Sequence, residues 1–215
     1  MSGYTSVLPR VRRPLEIALA VLFHPADAFR ELRGFRSFTS ACILLLLTFA
    51  VRVVSILITS FHMTNLQPED ANIVLEFIRF IFPLLSWAVC CYLITSIMDG
   101  ESFFSNVFLA VSYSMVPYIL FTLPIAALTL LLTRDELYVY ITLNSIVWLW
   151  VGVLLVINIA VMNDYSFKKT IGVTLLSLFA LIIFWATIGL TFALTNHVIM
   201  FVKDVYNEVR YLMSN

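Results

Sequence analysis

The chain carries five apolar runs, each long enough to cross a bilayer, separated by short polar breaks. The hydrocarbon core of a membrane is about 30 Å thick and takes about 20 helical residues to span. In that medium every backbone N–H and C=O must find its partner within the chain, so such runs fold as helices. They extend from Ser40 to His62, Ile73 to Met98, Phe103 to Thr133 and Leu137 to Met162. The last starts near Ile171 and does not stop cleanly. With 61% hydrophobic and 12% charged residues, against about 25% charged in soluble domains, the chain is expected to be an all-α, polytopic membrane protein. Residues 1–38 form an N-terminal segment, 39–203 a five-helix membrane domain and 204–215 the end of a C-terminal helix.

Net charge is zero, from 13 basic and 13 acidic residues, but the signs are unevenly placed. Arg10, Arg12, Arg13, Arg30, Arg33 and Arg36 precede the first span, whereas the next loop has Pro68, Glu69 and Asp70 and no base. Basic residues stay on the cytoplasmic side, so the N-terminus is expected inside. Five crossings then put the Asp99-Gly100-Glu101 turn and the Lys168, Lys169 loop inside, and the C-terminus outside. Asp164, beside those lysines, reads as a solvated turn. No cleavable signal pattern precedes the first span.

Before that span, Leu15, Ala18, Leu19 and Leu22 share one helical face, and Pro25 fits the first turn of a second short helix that continues with Phe29 and Leu32. A pair of amphipathic helices in the membrane interface is expected, apolar side toward lipid or bundle and arginines among the headgroups. Packing on a partner protein through Phe29, Arg30 and Arg33 is the alternative. At the other terminus Val198, Phe201, Val202, Val205, Val209 and Leu212 recur at helical spacing, so the fifth helix is predicted to leave the membrane still helical.

The third run, DGESFFSNVFLAVSYSMVPYIL from Asp99 to Leu120, contains Pro117. Proline lacks an N–H and leaves the Tyr113 carbonyl without its usual partner, which bends the helix. Lipid supplies no replacement donor, so this helix is expected at the centre of the bundle. Its first two turns, before Tyr113, are expected in the interface.

Arg52 is the one charge deep in a span, about 18 Å from Ser40 at 1.5 Å per residue. Its expected partners are the Tyr113 carbonyl and the phenols of Tyr113 and Tyr118, which would tie the first helix to the third. Glu76 and Arg79, one turn apart, form an intrahelical pair. Asn144 and Asn158 read as interhelical hydrogen-bonding groups. Cys90 and Cys91 read as small packing residues, while Cys42 lies in a setting that permits acylation. The three histidines, His24, His62 and His197, lie at three different junctions. No zinc-binding, phosphate-binding or nucleophile-elbow spacing is present. No catalytic residue, metal or cofactor is expected, and the chain is expected not to be an enzyme.

Pro83 and Trp87 in the second span, Gly100 and Glu101 in the turn, Tyr113, Ser114, Val116, Pro117 and Tyr118 in the third span and Trp148 in the fourth resemble the Yip1-domain membrane proteins. The resemblance covers Phe29 to Phe192. It implies a five-helix membrane protein with a cytoplasmic N-terminus. Eukaryotic members act as non-enzymatic trafficking factors that associate with small GTPases and with one another. This chain lacks their long cytoplasmic tail and its Asp-Leu-Tyr-Gly-Pro motif, so GTPase binding is not carried over. His24 to Phe29, a His-Pro-x-x-x-Phe segment, resembles the bacterial branch. A plasma-membrane scaffold or accessory subunit is therefore expected, with a small transporter or channel as the alternative. A continuous polar route through Arg52, Asn144 and Asn158 would favour the transporter. Expected partners are the lipid bilayer and another integral membrane protein, a transporter among the options, or a second copy of the chain. Nucleic acid is not among them.

Overall fold

A computed structural model describes residues 14–34, 38–60 and 72–214. Arg10, Arg12, Arg13, Arg36, His62 and the Pro68 to Asp70 loop lie outside the described residues. Eight α-helices follow one another: α1 (Pro14–Phe23), α2 (Pro25–Arg33), α3 (Phe38–Ile58), α4 (Ile73–Ile97), α5 (Phe104–Ser114), α6 (Val116–Leu128), α7 (Leu137–Met162) and α8 (Phe167–Ser214). Five helical segments are long and apolar enough to cross a membrane, with α5 and α6 together forming the third. The described chain is thus an all-helical polytopic membrane protein in contact with lipid.

Local chemistry sets the helix ends. Pro25 occupies the first turn of α2, where its missing N–H costs no hydrogen bond. Asn72 caps α4, its side-chain oxygen accepting from the N–H groups of Val74 (3.0 Å) and Leu75 (3.3 Å). Two helices end in matching ways. After α4, Asp99 takes φ 55° and the Gly100 N–H returns to the Thr95 carbonyl at 2.8 Å. After α7, Asp164 takes φ 49° and the Tyr165 N–H returns to the Ala160 carbonyl at 3.0 Å. Both are Schellman caps with a left-handed residue, and aspartate is one of the few side chains that tolerates that conformation.

The Pro117 interruption is a full break. α5 stops at Ser114, Met115 closes a tight turn through its N–H to Ser112 O at 3.2 Å, and Pro117 falls in the first turn of α6. The broken pair is central, as the proline argument requires. α5 packs against α3, α4 and α7, and α6 against α3 and α7. Tyr113, Met115 and Tyr118 are among the most buried side chains of the molecule. In the turns before and at Tyr113, Asn106 to Ser114 are all buried within the bundle. α1 and α2 also pack on α5 and cover it.

Of the two surfaces open to the apolar sides of α1 and α2, the helices use the bundle. α2 packs on α7 and α5, and α1 on α2, α5 and α6. Phe29 and Leu32 are fully enclosed and join the same core as Tyr113 and Leu154. The buried face of α1, however, is Ile17 and Val21, while Leu19 points outward. The sequence there is apolar nearly all round, so spacing alone does not select a face.

α8 is 48 residues long, about 72 Å at the helical rise. Its first half is held: Thr170, Val173 and Ser177 are buried, the rings of Phe184 and Trp185 meet Phe82 of α4, and the helix packs on α4 and α7. From Trp185 to Tyr211 every residue is exposed.

Candidate functional site

Two polar clusters stand at opposite ends of the bundle, and each gathers residues singled out in the sequence. At the Gly100 end, three turns meet. Gly100 is required by close approach: a Cβ there would stand 2.6 Å from Asn163 Oδ1, 2.7 Å from the Thr95 carbonyl and 2.8 Å from the Tyr165 hydroxyl. Asn163 Oδ1 accepts from Ser102 Oγ at 2.7 Å, and Asn163 Nδ2 donates to Ile159 O at 3.1 Å. The Tyr165 hydroxyl is shared between the carbonyls of Met98 (3.0 Å) and Thr95 (3.2 Å), both at the end of α4. Burial, and then the nearby Asp99 carboxylate, push the Tyr165 phenol above its ordinary pKa, which keeps it a donor.

Arg33 closes this cluster from the end of α2. Its Nε donates to the Met162 carbonyl at 3.0 Å, its Nη2 to Glu101 at 3.2 Å, and its Nη1 to Asp164. A cation on the last carbonyls of α7 also complements the helix dipole. Asp164 is exposed, as a solvated turn would be, and in addition pairs with Arg33. The Arg33 carbonyl in turn accepts from Asn106 Nδ2 at 3.3 Å, which fastens α2 to α5. Glu101 and Asp164 remain largely exposed, so the two ion pairs fix geometry more than they stabilise. Of the three residues considered for partner binding, Phe29 is buried and Arg33 is engaged here. Arg30 stays at the surface, 3.6 Å from Asp27.

At the opposite, Thr129 end, Arg52 lies within two turns of the end of α3 and pairs with Glu76 in the first turn of α4. Nε and Nη2 donate to the same Glu76 Oε2 at 3.4 and 3.3 Å. The other oxygen, Oε1, takes Arg79 Nη1 at 3.7 Å, so the expected intrahelical pair forms as well. The Glu76 side chain is 8% exposed and that of Arg52 32%. Arg52 thus joins the first span to the second by an ion pair, which replaces the expected tie to the Tyr113 carbonyl. Tyr118 is nonetheless beside it: both line a cavity of about 200 Å³ and interact electrostatically.

That cavity is walled by α3, α4, α6 and α7. Phe80, Tyr118 and Trp148 form an aromatic corner, with ring centroids 5.1 Å apart for Phe80 and Tyr118 and 5.3 Å for Tyr118 and Trp148. Ser55, Thr59, Tyr140 and Asn144 add polar groups. Ser60 N–H donates to Thr129 Oγ1 at 3.0 Å and ties α3 to the end of α6 nearby. Asn158 is elsewhere, buried and donating to Ser114 Oγ at 3.3 Å. The three-residue polar route is therefore not assembled: Arg52 and Asn144 meet, Asn158 does not.

Pro83 lies inside an unbroken α4, and its carbonyl accepts from Ser86 Oγ at 2.9 Å. Trp87 is buried with its Nε1 lacking an acceptor among the described residues. Cys90 and Cys91 are buried, as packing residues would be, and Cys42 is half-buried. The sequence reading missed Asn163 and Tyr165. Their signal was the mirrored Asp-containing turns after two apolar runs, legible only once both turns are known to meet.

A five-span helical bundle, with two short N-terminal helices docked on one end and a proline-broken central span, defines a particular class of polytopic membrane protein. The chain matches the family model of the Yip1 domain over residues 19–188, most of its length, and belongs to that family. Comparison with curated proteins and with solved structures found no match.

Proposed function

We propose that this protein is a non-enzymatic membrane scaffold or accessory subunit, of the bacterial type within its family, in the plasma membrane. Its N-terminus and Gly100 end are cytoplasmic and its C-terminus is outside, as the arginines before α3 and Lys168 and Lys169 at the Gly100 end support. The partner is another integral membrane protein, such as a transporter.

The observation that carries this reading is α8. The Yip1 match ends at residue 188, and beyond it the helix continues with exposed Leu190, Phe192, Leu194, Val198, Phe201, Val202 and Val205. The apolar part of α8 runs from Ile171 to Val202, about 48 Å of helix against a core of about 30 Å. Apolar helix longer than the hydrocarbon core is accommodated by tilt, by local thickening of the bilayer or by contact with another membrane protein, and this reading takes the last. Purification in mild detergent, as the full chain and as a chain ending at Asn196, followed by quantitative mass spectrometry, tests it. One membrane protein enriched with the full chain and lost on truncation supports the reading. The same set of proteins from both chains counts against it.

A transporter or channel reading has one observation in its favour, the Arg52 cavity. Its polar lining lies at the Thr129 end, and Tyr113, Met115 and Leu154 fill the space further along.

A further inference from the structure

We infer that the cavity at Arg52 is a binding site for a phosphate-bearing organic anion, the phosphodiester headgroup of an anionic lipid or a free phosphate ester of similar size. This does not rest on the scaffold reading. The argument starts from charge. Arg52 is the only charged residue lining the cavity among the described residues. The adjacent carboxylate, Glu76, is occupied at both oxygens, Oε2 by Arg52 and Oε1 by Arg79. Among the described residues of this ion-pair cluster, two arginines stand against one glutamate, with Arg52 on the cavity side and Arg79 toward the surface. A guanidinium has five N–H donors, and Arg52 spends two of them on a single oxygen. The others serve the Tyr118 phenol and an oxyanion in the cavity, and Arg is well matched to phosphate.

Depth and size narrow the class. Thr59 stands just past the end of α3, Arg52 is about 10 Å further in, and Tyr140 is about 5 Å from the start of α7. The cavity therefore runs from the Thr129 end of the spans inward, with Tyr118 and Trp148 about 15 Å deep at its inner wall, and Arg52 stands between the headgroup level and that wall. A volume of about 200 Å³ equals that of about seven waters at about 30 Å³ each, the size of a phosphoglycerol group. Ser55, Tyr140 and Asn144 offer hydrogen bonds to its hydroxyls, and the Tyr118 and Trp148 rings offer apolar contact to its carbons.

The test uses the full chain, delipidated in mild detergent, with thermal unfolding followed by tryptophan fluorescence. Mixed micelles containing phosphatidylglycerol are compared with micelles containing diacylglycerol, and with soluble glycerol 3-phosphate. Binding to the folded state raises the midpoint, and a rise of about 2 to 5 °C is expected with a phosphate-bearing ligand. Arg52→Gln should abolish it. Because Arg52→Gln also breaks an ion pair, Asn144→Leu is the second variant; it fills part of the cavity, leaves the pair intact, and should at least halve the rise. A rise with phosphatidylglycerol alone assigns the site to lipid, and an equal rise with glycerol 3-phosphate assigns it to a soluble ester. No rise with either, an equal rise with diacylglycerol, or an undiminished rise in both variants overturns the proposal.

Discussion

Gly100 and Asn163 touch across the bundle end: a Cβ at Gly100 would stand 2.6 Å from Asn163 Oδ1. The same Oδ1 holds Ser102 at 2.7 Å, and Asn163 precedes the aspartate that receives Arg33. One missing side chain therefore lets the turns after α4 and α7 close on each other and on the end of α2.

Gly100→Ala should accordingly destabilise the protein by about 2 kcal/mol or more, because the added carbon also meets the Thr95 backbone carbonyl, which cannot swing away. A lower thermal midpoint in detergent, with loosened proteolytic protection of α2, is the expected outcome. An unchanged midpoint would mean that the turns are not in contact.

Arg52 and Glu76 should behave as one unit. Arg52→Leu and Glu76→Gln each leave a partner unsatisfied, and a double-mutant cycle should give a coupling of about 1 to 2 kcal/mol, reduced by the partial exposure of Arg52. Arg52→Leu combined with Pro117→Ala should be closer to additive than the Glu76 pair, since Pro117 sits in a first helical turn and only its neighbour Tyr118 stands beside Arg52. Thermal denaturation of the single and double variants measures both. Strong coupling to Pro117 with none to Glu76 would reverse the assignment.

The N-terminal helices offer a contrast within one segment. Phe29 is wholly buried, so Phe29→Ala should cost about 3 to 5 kcal/mol and expose α1 and α2 to protease. Leu19 is 55% exposed, and Leu19→Ser should change stability by less than about 0.5 kcal/mol. Equal effects at the two positions would mean that α1 docks through a different face.

What was legible in the sequence and what was not divides on physical lines. Span lengths follow from hydropathy, and the central place of α5 and α6 follows from the backbone group that Pro117 leaves unpaired, a local fact with a global consequence. The partner of Arg52 was not legible, because Glu76 already had a neighbour at Arg79 and a linear chain does not show that its two oxygens serve two helices. The ion pair of the exposed Asp164 was hidden for the same reason: its cation, Arg33, lies far away in sequence. The orientation of α1 was hidden by an apolar pattern without a polar face.

The exposed length of α8 carries the central claim, and site-specific photo-crosslinking in intact membranes tests it most directly. A crosslinking residue in place of Phe201 or Val205 should yield one discrete protein adduct, whereas the same residue in place of Phe179, inside the span, should yield lipid adducts. Lipid adducts or uncrosslinked chain at all three positions would contradict the scaffold account.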